Sequence, residues 1–322
     1  MARFVNEVPD PRRVLVIFPG ALGDLICALP ALRTIAGRNP GWGIELMARP
    51  ELARFAVGRM GVARGHSIDR RELSHLFATD RDKSSEARGF FGAFQKIYSF
   101  FGGDDARFRR GLAAVAGGAT AFIPFRPPGA GHVAQCYLEA LGHADQMTIQ
   151  SDASALHSID VLDQDIVAAS QTLSRHGLGR GEFLLIFPGS GSPRKNWPAD
   201  NFAALARRIN SITKPVIVLG PAETSIESLF RTEFVTLSRL ELGEVAGLAC
   251  LARGFVGNDS GVSHLAAASG ARGVVLFGPT DPERWCPLGH VDVVRREPLD
   301  KLPFEEVAAK LRASLTIADG DD

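Results

Sequence analysis

The sequence predicts an α/β protein of two domains, each built on a parallel sheet. Three observations lead there. The chain has 322 residues, roughly twice the length at which one hydrophobic core is the default. Short apolar runs ending in Gly or Pro alternate with amphipathic stretches, the pattern of βα units. Finally, VLVIFPG at 14–20 and FLLIFPG at 183–189 repeat one strand-then-Pro-Gly construction half a chain apart.

In the front half, 14–18 reads as a buried strand, followed by a Gly-rich turn, a helix over 25–38, a strand at 44–48 and a short helix over 50–57. Residues 77–131 are less regular. The segment GFFGAFQKIYSFFGG (89–103) reads as an aromatic core helix, with RFRRG (107–111) as a solvated basic turn. The alternative is an acceptor-binding or membrane-surface element, because apolar residues beside arginine suit an anionic lipid interface. In the back half, strands are expected at 183–187, 215–220, 234–237, 254–257 and 273–278, with helices over 199–210, 223–231, 243–252 and 262–269. The polar stretch SDASALHSIDVLDQD places the domain junction near residue 155, giving domains 1–155 and 156–322. A last helix over 304–315 carries an apolar face that could pack back on the first domain.

Composition excludes several classes. With 45% hydrophobic and 22% charged residues the chain is globular, not disordered. Lys+Arg and Asp+Glu balance at 36 each, which argues against a nucleic-acid partner. The balance is uneven along the chain: 19 basic and 14 acidic residues fall in 1–150, against 17 and 22 in 151–322, so an anionic partner would meet the front half. Four scattered cysteines without a CxxC pair indicate neither a disulfide framework nor structural zinc, and a reducing compartment. MARFVNEVPDPRR lacks a signal peptide's apolar region and no run approaches the length of a membrane span, so a cytoplasmic location is expected.

Four turns carry candidate chemistry. PGALGD (19–24) follows a buried strand and opens a helix, placing Gly20, Ala21, Leu22 and Gly23 at the carboxyl edge of a parallel sheet, where ligands bind. Asp24 then either works on a substrate or caps the helix. The order is not G-x-G-x-x-G, which disfavours a nicotinamide enzyme. PGSGSPRKNWP (188–198) offers backbone N–H groups with Arg194 and Lys195, suited to phosphate, unless it is a solvated basic loop. It is not a P-loop. Trp197 reads as a packing anchor. VGNDSGVSH (256–264) puts Asp259, Ser260 and Gly261 at a helix N-terminus open to an anion, and His264 in its first turns, structural or chemical. GPTDPERW (278–285) either walls the same crevice or shapes a turn. The DxD sequences at 80–82 and 163–165 could hold a metal, but lie in polar stretches and read as solvated surface.

Taken together, VLVIFPGALGDLICALPALRTI, FPGSGSPRKNWP and VGNDSGVSHLAAASGARGVVLFGPTDPERW, in that order, resemble the ADP-heptose:lipopolysaccharide heptosyltransferases, inverting glycosyltransferases of the GT-B type. The resemblance implies two Rossmann-like domains facing a central cleft, acceptor on the first and nucleotide sugar on the second. It implies that Asp24 is the base that deprotonates the acceptor hydroxyl and that Lys195 holds the donor diphosphate. Asp259, Ser260 and Gly261 would sit at the donor, with Ser190 and His264 beside them and Glu223 at the nucleoside. The implied partners are an ADP-linked sugar and a lipopolysaccharide-core or similar glycan acceptor, with peripheral contact at the cytoplasmic face of an anionic inner membrane. No cofactor and no metal would be required. A transferase for another nucleotide sugar and polysaccharide, or a non-catalytic nucleotide-sugar-binding protein, are the alternatives.

Overall fold

The computed structural model describes residues 12–77, 81–144 and 156–318. The expected junction at 155 and the Asp80 end of the first DxD lie outside the described residues. Taking the described residues, the chain forms two compact units that are not contiguous in sequence. The first takes residues up to Pro19, with Leu32–Pro127 and Ala140–Thr148; the second takes Gly20–Ala31, Pro128–Glu139 and residues from Ile149 onward.

The first unit holds five parallel strands, β1 (Arg13–Ile17), β2 (Gly43–Ala48), β3 (Arg64–Ser67), β4 (Lys96–Ser99) and β5 (Ala119–Phe122), in the order β3-β2-β1-β4-β5. This is a Rossmann order, reversing direction between β1 and β4. One face of the sheet packs Leu15, Ile17 and Ile97 against Phe91, Phe94, Phe108 and Leu112. The aromatic segment 89–103 is therefore core, but it is not one helix. It ends the helix Arg81–Phe91, turns, runs through β4 and leaves as a loop. RFRRG lies on the helix Ala106–Val115, with Phe108 buried and Arg107, Arg109 and Arg110 exposed.

The second unit holds six parallel strands, β6 (Phe183–Phe187), β7 (Lys214–Leu219), β8 (Val235–Ser238), β9 (Gly254–Asn258), β10 (Gly273–Phe277) and β11 (Val291–Arg295). Their order, β11-β10-β9-β6-β7-β8, repeats the Rossmann pattern with its switch between β6 and β9. β6, β9 and β10 are buried at every position, as expected of strands covered on both faces. The expected helix over 223–231 is α-helical only at Glu227–Arg231, after a tight 3-10 stretch Pro221–Ile226. From the helix Phe304–Ala318, Val307, Leu311 and Leu315 enter the core of this same unit, beside Leu184, Val256 and Val274. Asp165, expected on a solvated surface, is buried and accepts the Leu162 N–H at 3.1 Å, fixing the start of the helix Asp163–Ser174.

The expected helix over 25–38 is two helices, Leu22–Cys27 and Leu29–Arg38. Pro30 has no N–H to continue the ladder, so the chain breaks at Ala28. The first of these helices packs with the helix Gly261–Ala268, which is why residues 20–31 group with the second unit and not with the strand β1 that precedes them.

Candidate functional site

The site is assembled at the carboxyl edge of β6 and β9, where the strand order reverses and open α/β sheets bind ligands. The chain leaves β6 through Pro188 and β9 through Asn258. Asn258 is fully buried and joins the two exits: its Nδ2 donates to the Pro188 carbonyl at 2.7 Å and its Oδ1 accepts the Trp197 N–H at 3.0 Å. Trp197 is fully buried, donates Nε1–H to the Leu302 carbonyl at 3.1 Å and stacks on Phe304. The loop 188–198 is thus pinned at both ends. Within it, the Ser190 hydroxyl accepts the Ser192 N–H at 3.2 Å and lies 2.6 Å from Asn196 Oδ1, so Ser190 braces the turn.

On this loop Lys195 donates to Asp259 Oδ2 at 2.7 Å; Asp259 is buried and the lysine is about one-third exposed (32%). Ser260 caps the helix Gly261–Ala268, accepting the Ser263 N–H at 3.4 Å, while Ser263 is tied to the Asn258 carbonyl at 2.7 Å. The lysine, the carboxylate and the amino end of an eight-residue helix therefore share one spot. An ammonium and a helix N-terminus both favour an anion.

Asp24 reaches this cluster through two glycines. A Cβ on Gly261 would stand 2.9 Å from Leu22 Cβ and 3.2 Å from the Gly23 nitrogen; one on Gly23 would stand 3.3 Å from His264 Cδ2. A Cβ at Gly261 would force the two helices apart, and one at Gly23 would press on the His264 ring. Asp24, the third residue of Leu22–Cys27, is half-buried and accepts the Ala21 N–H at 3.0 Å. The capping role anticipated for it is real, though the carboxylate acts from the third helical position and not from the cap itself. Gly20, Ala21, Leu22 and Gly23, which the sequence placed in the domain 1–155, belong by their contacts to the second unit.

His264 is buried beside Asp259 and Cys27. Its Nε2 lies 4.0 Å from Asp259 Oδ1, and its Nδ1 3.6 Å from Cys27 Sγ. Burial pushes its pKa down to about 4, against the opposing pull of Asp259 and Asp24, so the imidazole is neutral near pH 7. The Cys27 thiol is pushed up, first by burial and then by Asp24 and Asp259, and stays protonated. Glu223, after β7, lies against Gly189 and Gly220, where a Cβ would overlap its carboxylate. Burial raises its pKa. It borders the Pro188 turn, although no polar contact joins it to Lys195 or Asp259.

Three features escaped the sequence reading. Asn258 sat inside a motif read for its acidic and small residues, yet it is the strut of the site. His132 Nε2 donates to the Cys286 carbonyl at 2.7 Å, while its Nδ1 accepts the Ala134 N–H at 3.2 Å, and burial lowers its pKa. Arg284 holds the carbonyls of Gly129 and Gly131 at 3.1 and 3.2 Å, which gives PERW a role beyond turning the chain. Among the described residues, no three His, Cys, Asp or Glu side chains come together as a metal site.

Two Rossmann sheets in one chain, with a phosphate-suited loop, a helix amino end and a carboxylate at the switch of the second, fit the GT-B type of glycosyltransferase. Residues 146–310 match the family described as glycosyltransferase family 9 (heptosyltransferase). A lipopolysaccharide heptosyltransferase 2 of Salmonella typhimurium is 30% identical over 86% of this chain and 86% of its own length. The chain belongs to glycosyltransferase family 9. Solved structures agree in fold: a family 9 glycosyltransferase from Veillonella parvula has a TM-score of 0.78 at 19% identity, covering 95% of this chain and 97% of its own. E. coli ADP-heptose LPS heptosyltransferase II has a TM-score of 0.73 at 20% identity, covering 95% and 99%.

Proposed function

We propose that this enzyme transfers a heptose from ADP-heptose to a lipopolysaccharide-core acceptor with inversion at the anomeric carbon. The acceptor hydroxyl oxygen bonds to that carbon while the carbon–oxygen bond to the diphosphate breaks, its electron pair leaving with ADP. Asp24 takes the hydroxyl proton. Lys195 and the amides opening Gly261–Ala268 take up the negative charge that grows on the diphosphate. Glu223 faces the nucleoside. The observation that carries this reading is the Lys195–Asp259 pair at the helix amino end, 2.7 Å across, drawn beside the Asp24 helix by Gly23 and Gly261.

The partial charge needed at the diphosphate comes from protein groups, and the reading includes no metal. Peripheral membrane contact belongs to the same proposal. Among the described residues no helix is long and apolar enough to cross a membrane. Arg107, Arg109 and Arg110 are exposed, but the intervening Phe108 is buried in the core, which leaves charge alone to hold an anionic surface. The test is a transfer assay against a panel of ADP-, GDP- and UDP-sugars, read by product mass, beside thermal shifts with each nucleotide. Transfer confined to ADP-heptose supports the reading. A preference for a hexose donor replaces it.

A further inference from the structure

Cys27 and His264 make a buried contact that the transfer chemistry leaves without a task. Cys27 is the last residue of the helix Leu22–Cys27, and His264 stands in the first turns of Gly261–Ala268. Cys27 Sγ lies 3.6 Å from His264 Nδ1, while Nε2 of the same ring faces Asp259 Oδ1 at 4.0 Å. One imidazole therefore stands between a thiol and a carboxylate, and the other oxygen of that carboxylate accepts from Lys195 at 2.7 Å.

A neutral imidazole has one donor nitrogen and one acceptor nitrogen, and the surroundings select which is which. A bare Nε2 would turn its lone pair on the Asp259 oxygen, two electron-rich atoms with no proton between them. The hydrogen therefore belongs on Nε2. Nδ1 is then an acceptor shut away from water, and an acceptor left unmet in such a place is costly. Cys27 meets it, and burial keeps the thiol protonated, so that it has a hydrogen to give. The ring edge is seated on Gly23, where a Cβ would stand 3.3 Å from Cδ2 and 3.6 Å from Nε2.

We propose that Cys27 is a positioning residue: its S–H donates to His264 Nδ1, which directs Nε2–H at Asp259 and so holds that carboxylate, and the Lys195 ammonium on it, where the donor diphosphate is gripped. The grip itself rests on the transferase reading above. No proton changes owner along this chain. It orients groups, as the outer hydrogen-bond partner of a ligating histidine orients the ring.

Two variants of nearly equal size separate this role from packing. Cys27→Ser keeps a hydrogen-bond donor and Cys27→Ala does not. 15N NMR of ring-labelled protein, with His264 assigned by its loss in His264→Gln, reads the hydrogen bond, and calorimetry with ADP reads its effect on the grip. In the parent, Nε2 should resonate as a protonated nitrogen and Nδ1 as an unprotonated nitrogen that accepts a hydrogen bond. Cys27→Ala should move Nδ1 towards the bare-nitrogen position, weaken ADP about threefold to tenfold and raise the donor KM with the acceptor KM in place, while Cys27→Ser should stay within about twofold of the parent. A protonated Nδ1 in the parent overturns the proposal, and that measurement needs no variant to fold. Equal ADP affinity in folded Cys27→Ser and Cys27→Ala proteins overturns it as well, whatever the ring spectrum. A parent with the expected ring spectrum that binds no ADP would instead overturn the diphosphate reading and leave the Cys27–His264 hydrogen bond standing.

Discussion

The two units share a strand order and a strand-then-Pro-Gly exit, yet equip their ligand edges with opposite chemistry. After β6 the exit becomes a loop fastened by Asn258 and Trp197, with Lys195, Asp259 and a helix amino end gathered at one spot. After β1 the exit passes Pro19 into a helix held by the second unit, and the edge left behind is a phenylalanine-walled cavity with balanced charge. A common topology fixes where a ligand meets the sheet; the residues in the two exits set the chemistry that each edge presents.

The contrast breaks most sharply at Asp24. Asp24→Asn keeps the size of the side chain and can still accept from the Ala21 N–H, but it does not take a proton. Turnover is expected to fall about a hundredfold or more with donor affinity retained. A folded variant with wild-type turnover would reduce Asp24 to its helix-terminus role, for which a loss of about 0.5 to 2 kcal/mol is the expected scale. Lys195→Ala should come next, weakening donor binding by about tenfold to a hundredfold, because the lost charge is felt in the bound donor and in the transition state; calorimetry with ADP measures it. If ADP binds the variant as tightly as the parent, the diphosphate is held elsewhere.

Asn258→Ala sharpens the comparison through stability. It removes partners from a buried carbonyl and a buried N–H, and about 2 to 4 kcal/mol should be lost in denaturant melts, whereas Gln95→Ala in the first unit, which removes an acceptor for the exposed Arg13 N–H, should cost under about 1 kcal/mol. His264 adds a pH dependence. Its folded pKa of about 4 lies below the ordinary value of 6.5, so the unfolded chain binds the proton first as pH falls. The contribution is full above about 6.5 and is lost progressively down to about 4, a loss on the order of a few kcal/mol. His264→Gln should flatten that slope, and an unaltered melting profile between those pH values would remove His264 as its source. The smallest effects are expected from EDTA, which should leave transfer unchanged, and from anionic vesicles, which should bind the protein weakly at low salt and release it as salt rises. Restoration of lost activity by magnesium or manganese would refute the first; absence of cosedimentation would refute the second.

The core strands were legible because they are buried on both faces and so read as unbroken apolar runs: VLVIF, FLLIF and GVVLF need no context. β3 (RGHS) and β5 (ATAF) are sheet edges of four residues each, too short and polar to show a period, and β11 (VDVVR) is the edge of the second sheet. β4 (KIYS) was hidden inside an aromatic cluster whose density suggested a helix. At the site, Lys195, Asp259 and Ser260 stood out because charge and capping chemistry follow local spacing. Asn258 did not, since its importance comes from carbonyl and amide groups brought over from another strand exit. The grouping of residues 20–31 was likewise invisible, because it depends on the missing side chains of two glycines 238 residues apart.

That glycine contact has a kinetic corollary. On the proposed assignment, the proton acceptor and the diphosphate grip belong to one packed body, so a loaded donor has its base in place before any acceptor arrives. Water is then the competing nucleophile. The enzyme should show a slow leak, releasing ADP and free heptose when acceptor is withheld, and Asp24→Asn should silence that futile hydrolysis together with transfer.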